Sequence, residues 1–203
     1  MGIVFAQMSV SVDGYAGHPE IEKTWEYLGR LTSWVHDLPT WRDRQGMTGG
    51  TPGPADDLVA EEFQAGAYVL GRNMFDFGEE PWGTNPPYRA PVFVVTHRPR
   101  EVLHKEGGTS FHFVTDGLAS AVEQAKAAAG DRSVGIYGGI GIIRQAIRDG
   151  LVDELHLHQV PVLLGEGIRL LDELGAEAKE LVATRTVAID GVNHLYFRFD
   201  RPS

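Results

Sequence analysis

The residues best suited to chemistry lie in the third quarter of the chain, Ser133 to Leu171 (SVGIYGGIGIIRQAIRDGLVDELHLHQVPVLLGEGIRLL). A β-branched run (Val134, Ile136) stops at Gly138-Gly139. A helical pattern follows, with Ile140, Ile143 and Ile147 on one face, Arg144 and Arg148 near its end and Gly150 closing it. Strand, double glycine and helix start make an anion site, because glycines admit a phosphate to the backbone and the first amides of a helix point at it. The alternative is that the glycines only form a tight turn.

Three more segments carry polar groups where a strand run ends. They are Ser9 to Gly17 (SVSVDGYAG), Gly71-Arg72-Asn73 opening a short helix, and Thr96-His97-Arg98. In an open parallel sheet, ligands sit beyond the carboxyl ends of the strands, so these loops and Gly138-Gly139-Ile140-Gly141 are expected on one face. A NAD-type Rossmann site fits poorly. Arg144 stands where the third glycine of G-x-G-x-x-G belongs, and Asp153 and Glu154 lie too near the glycines and before a strand. A serine hydrolase using Ser9 or Ser11 lacks a G-x-S-x-G elbow.

Several residues have two readings. Asp13 can protonate or orient a substrate, or its Asp-Gly pair can simply make a turn. His156 and His158, two apart on a strand, share a face and could ligate a metal, but show no third ligand; a polar strand face is the simpler account, and no metal is expected. Trp25, Trp34 and Trp41 form either a pocket wall or a core stripe. Asp172, Glu173 and Glu177 read as solvated surface.

The elements that must position these groups alternate. Strands are expected at Ile3–Val10, Ala67–Leu70, Pro91–Thr96, Ser110–Thr115, Ser133–Tyr137, Leu155–Val160, Leu181–Ile189 and His194–Phe199, the last two joined by a turn at Asp190 to Asn193. Helices are expected at Glu20–Arg44 (interrupted near Pro39), Asp56–Ala65, Gly117–Ala129 capped by Asp116, and Ile140–Asp149. Gln45 to Pro54 and Glu79 to Arg89 read as loops. The pattern predicts an α/β protein, one domain over residues 1–203, with a mostly parallel sheet, flanking helices and a C-terminal antiparallel hairpin.

Composition bounds the function. The chain has 203 residues, 42% of them hydrophobic, which suffices for one substantial core. A formal net charge of -10 argues against nucleic acid or an anionic membrane as partner. No apolar run approaches membrane-spanning length, and no signal-peptide pattern opens the chain, so a cytoplasmic location is expected. The lack of cysteine excludes disulfides, thiol nucleophiles and Cys-ligated zinc.

Three segments, SVDGYAG, GRNMFD and YGGIGIIRQAIRDGLVDELHLHQVPVLLGEG, resemble the dihydrofolate reductase superfamily, and within it the reductase domain of the bifunctional riboflavin-biosynthesis deaminase–reductase. The resemblance covers nearly the whole chain and is poorest over Glu20 to Ala65. It implies an eight-stranded sheet, NADPH as hydride donor, a small heterocyclic substrate and a homodimer. By the same resemblance, Gly138, Gly139, Ile140, Gly141 and Ile142 hold the diphosphate, with Gly71, Arg72 and Asn73 beside it. Thr96, His97 and Arg98 meet the adenosine 2′-phosphate, and Ser9 and Ala16 receive the nicotinamide carboxamide. Two departures bear on the substrate. Riboflavin-pathway reductases carry a Glu before the glycine pair where this chain has Tyr137, and the first helix offers tryptophans, Trp34 among them, with Glu26, Asp37 and Asp43 at no matching spacing. Tyr137 and Trp34 are therefore the candidate substrate contacts, and Asp13 the candidate catalytic acid. The competing reading is a nucleotide-binding or sensing protein without catalysis.

Overall fold

A computed structural model describes residues 2–200. Strand β1 (Val4–Ser11) runs into a short β2 (Tyr15–Gly17), followed by α1 (Ile21–Thr32), α2 (Pro39–Arg44) and α3 (Pro54–Glu62). Then come β3 (Ala67–Gly71), α4 (Arg72–Gly78), β4 (Pro91–Val95), β5 (Leu103–His104), β6 (Ser110–Val114), α5 (Leu118–Ala129), β7 (Val134–Ile136) and α6 (Ile140–Arg148). The chain continues through β8 (Glu154–Val160), β9 (Ile168–Arg169), β10 (Leu181–Ile189) and β11 (Val192–Phe199).

Nine strands form one sheet in the order β10-β11-β8-β1-β7-β3-β4-β6-β5, while β2 and β9 pair separately. The block from β8 to β6 is parallel; β11 joins β8 antiparallel, as do β10 to β11 and β5 to β6. All eight expected strands are present, and the ninth is the two-residue β5 at one edge. β2, β5 and β9 are too short to leave a periodic signal.

Both faces are covered, which is why the central strands read as unbroken apolar runs. Ala67 and Val69 of β3 turn to α5 and α6, while Tyr68 and Leu70 turn to Phe75 of α4, all fully buried. Gly135 of β7 is required by close approach. A Cβ there would lie 2.8 Å from the Tyr137 ring and 3.0 Å from that of Tyr68.

Three local expectations change. Asp116 does not cap α5; the cap position is Gly117, at φ 91, a backbone conformation that favours glycine. Proline opens α3 at its first turn, two residues earlier than expected, where its missing N–H costs nothing. The terminal hairpin turns in two residues, Asp190 and Gly191, at φ 51 and 83, so pairing resumes directly at Val192. Along β11 the deeper face is His194 and Tyr196, while Leu195, Phe197 and Phe199 are only partly buried against the α5–α6 layer.

Candidate functional site

β7 ends at Ile136 and α6 begins at Ile140, so Tyr137-Gly138-Gly139 makes the whole turn between them. Gly138 has φ 113, and a Cβ built on Gly139 or Gly141 would meet nothing within 4 Å. Open space over glycines at a helix start is the cradle a phosphate needs. The first bonds of α6 come from Ile142 and Ile143 to the Gly139 carbonyl, so the amides of Ile140 and Gly141 lie ahead of them at the positive end of the helix.

The other segments gather here. The Gly71 amide donates to the Gly138 carbonyl at 2.7 Å, tying the start of α4 to the glycine pair. A Cβ on Gly17 would lie 3.2 Å from Ile140 Cδ1, so the strand holding Ala16 runs beside the start of α6. Asp76 links the remaining two segments, taking Arg72 Nε on Oδ1 and an Arg98 guanidinium nitrogen on Oδ2, each at 2.6 Å. Thr96 is buried, and its hydroxyl accepts the Arg98 amide at 3.0 Å, while His97 and Asn73 are exposed.

On the α1–α4 side of this region opens a cavity of about 440 Å³. Trp25, Trp34, Trp41, Phe63, Trp82 and Tyr88 wall it, with Ser9, Gln7, Met74, Tyr137 and Glu62 also lining it. Trp25, Trp34 and Trp41 come from three separate segments and still share this space. Trp34 donates its indole N–H to Ser9 Oγ at 3.2 Å. Tyr137 lines the cavity with its ring and donates its hydroxyl to the Glu62 carbonyl at 3.1 Å, fixing the end of β7 to α3. Burial, and then the nearby Glu62 charge, hold the Tyr137 phenol far above its ordinary pKa, so it stays a neutral donor.

Asp13 serves the loop after β8. Its carboxylate accepts the amides of Leu164 at 3.2 Å and Gly165 at 2.8 Å. The Ser11 hydroxyl, and then those amides against some burial, lower its pKa to about 2. An acid held ionised in this way organises structure and is a poor proton donor.

The acid that sequence reasoning missed is Glu62, the last residue of α3, only 6% exposed and directed at the sheet. Register explains what it meets. Gln7 lies opposite His156, Ser9 opposite His158, and across β11 His158 pairs with His194 and His156 with Tyr196. One sheet face therefore presents a polar patch to α3. Glu62 Oε1 stands 3.2 Å from His158 Nε2 and 3.8 Å from His156 Nδ1; His158 and His194 share a 2.8 Å contact between Nδ1 atoms. Burial alone would raise the Glu62 pKa, but His158 and His156 outweigh it and keep the carboxyl well below the usual range. The i, i+2 histidines were visible in sequence, but a carboxylate 94 residues upstream of His156 had no periodic tie to them. Among the described residues no cluster of three or more metal-ligating side chains is arranged for a metal ion, and no helix is long and apolar enough to cross a membrane.

Comparison with known proteins agrees with this architecture. An uncharacterized Bacillus subtilis protein, YyaP, is 27% identical over 140 residues, covering 66% of this chain and 74% of its own. A Shewanella sp. PV-4 protein named for riboflavin biosynthesis superposes with a TM-score of 0.69 at 22% identity, over 98% of this chain and 99% of that one. Dihydrofolate reductase from Enterococcus faecalis, solved with NADP(H), superposes at 0.55 and 17% identity, over 98% of each chain. The fold is thus dihydrofolate reductase-like, and over residues 3–195 the sequence matches the family model described as the RibD C-terminal domain, so the chain belongs to that family.

Proposed function

We propose that this protein is an NADPH-dependent reductase of the riboflavin-pathway type, passing a hydride to a small, flat heterocyclic acceptor. The observation that carries the reading is continuity. The aromatic cavity is lined by Tyr137, next in sequence to the glycine turn, and by Met74, whose Cγ would lie 3.9 Å from a Cβ on Gly138, so it adjoins the turn at which the cofactor's diphosphate would sit. NADPH would supply the hydride; the chain supplies orientation and a dry, aromatic enclosure.

In this reading, Gly138 to Ile142 receive the diphosphate, with Gly71, Arg72 and Asn73 beside it. Thr96, His97 and Arg98 take the 2′-phosphate, and the backbone at Ser9 and Ala16 takes the carboxamide. Trp34 and Tyr137 hold the acceptor. Asp13 keeps the 164–165 loop folded at the edge of the site and carries no proton to substrate.

The test is Gly139→Val. Its Cβ points into open space, so the fold should survive, yet the added methyls occupy the phosphate's position. NADPH affinity, read by cofactor fluorescence, should fall at least tenfold with an unchanged melting temperature. An unaltered titration would refute the placement. Tight NADPH binding by the parent, with no oxidation by any quinone, pterin or pyrimidine acceptor, would favour the non-catalytic nucleotide-binding reading.

A further inference from the structure

We propose that Asp76 is a specificity-determining residue: its carboxylate occupies Arg72 and Arg98 in the place of a 2′-phosphate and, as a competing anion, limits how strongly the chain prefers NADPH to NADH. The inference rests on the reading of Thr96, His97 and Arg98 as the 2′-phosphate pocket and adds to it the residue that opposes the phosphate there.

Asp76 lies one turn after Arg72 on α4, so the two side chains share a face of the helix. Its Oδ1 takes Arg72 Nε and its Oδ2 takes Arg98 Nη2, each at 2.6 Å, so one carboxylate spans two cations from different segments. The two guanidiniums hold the Asp76 carboxyl below its ordinary pKa against partial burial, so it is an anion at neutral pH. The neighbouring Arg100 is already matched by Glu79, through Nη2 to Oε1 at 2.7 Å and Nη1 to Oε2 at 3.0 Å. Asp76 is therefore the anion that meets Arg72 and Arg98. Neither arginine depends on it alone for its place. The Arg72 guanidinium carbon is 5.7 Å from the ring centroids of both Phe75 and Phe113, and its Nη1 reaches the Arg98 carbonyl at 3.5 Å. The Arg98 amide donates to Thr96 Oγ1 at 3.0 Å.

Charge then acts in two directions. The carboxylate draws the two guanidiniums together, but a 2′-phosphate brings roughly 1.5 to 2 negative charges of its own. It must either displace the carboxylate from its two contacts or share the cations with it at the cost of repulsion. A 2′-hydroxyl meets neither penalty, because it is a donor that a carboxylate accepts, the means by which acids select NAD in other folds. The same locus thus holds the cations that favour NADPH and an acid that favours NADH. Removing the negative charge while keeping an oxygen acceptor should leave the arginines in place and release the phosphate from its competitor.

Two adenosine fragments, adenosine 2′,5′-bisphosphate and 5′-AMP, read this end of the site by calorimetry without nicotinamide or turnover. Asp76→Asn should bind the bisphosphate about fivefold more tightly than the parent, the range of an exposed ion pair, and 5′-AMP within about twofold. The Asp76 side chain is 38% exposed, so the variant should keep the parent's fold, which an unchanged melting temperature checks. Asp76→Glu, which keeps the charge, should bind both fragments like the parent. Salt at about 1 M, where screening acts within ~3 Å, should erase most of the asparagine variant's gain. Unchanged or weaker bisphosphate binding by Asp76→Asn, with a parent that still prefers the bisphosphate, overturns the role of Asp76 and leaves the pocket standing. So does a gain that persists in salt, extends to 5′-AMP or is shared by Asp76→Glu. A parent that binds both fragments equally removes the 2′-phosphate pocket, and the role of Asp76 with it.

Discussion

At the scale of single residues, we propose that cofactor choice turns on Arg98. Its guanidinium is 63% exposed and reaches the Asp76 carboxylate that also holds Arg72. Asp76 therefore presents two cations side by side at the end of β4 and the start of α4, beside the glycine turn. A 2′-phosphate suits such a pair, since a guanidinium can meet it with two charge-assisted bonds. Such contacts contribute on the order of 1.5–3 kcal/mol, and exposure here favours the lower end, about tenfold in affinity. Arg98→Ala should weaken NADPH by that factor and leave NADH unchanged. Added salt should narrow the parent's preference for NADPH. A parent that prefers NADH, or an equal loss for both cofactors, would remove Arg98 from this role.

At the scale of elements, the pairing of β8 with β11 buries a histidine, His194, whose protonation opposes folding. His194 is fully buried against His158 and Trp34. Burial, and then the neighbouring His158, lower its pKa from 6.5 to about 4. The unfolded chain therefore takes up this proton before the folded chain does. Stability from keeping His194 neutral is complete above pH 6.5 and is lost progressively as pH falls toward 4. The full effect, reached only below pH 4, is about 3 kcal/mol. Urea midpoints measured from pH 7 down to pH 5 should drop for the parent and drop less for His194→Asn. Parallel curves would show that His194 does not titrate against folding. The same two strands set the depth of the polar patch, because their register places His158 opposite His194 and His156 opposite Tyr196.

At the scale of the whole molecule, the two edges of the sheet are unequal. One ends in the two-residue β5, too short to recruit another strand. The other ends in the nine-residue β10, exposed along most of its length, with Leu181 and Val182 open to solvent. An exposed edge of this length is a template for pairing with another chain, and two-fold dimers are the commonest oligomers. We propose a homodimer built on this edge. Light scattering at micromolar concentration should give twice the chain mass of 22.3 kDa. A monomer mass would refute it.

The sequence by itself determined the sheet. β-branched runs, turn glycines and apolar helical spacing are local signals, so eight strands, α5, α6 and the glycine turn at Gly138 were legible from neighbouring residues. The open turn proposed here for a phosphate was legible for the same reason, since strand, glycines and helix start are contiguous. The aromatic cavity and the buried carboxylate that lines it were decided only by the tertiary structure. Trp25, Trp34 and Trp41 come from three different segments, and Glu62 meets His156 and His158 only because α3 packs over strands β1, β8 and β11. Asp13 shows the converse. The partners of its carboxylate, the amides of Leu164 and Gly165, lie about 150 residues away in sequence, so the Asp-Gly pair alone could not announce them. Local periodicity encodes what a segment becomes; which charges end up sharing a pocket depends on long-range packing, and no spacing along the chain records it.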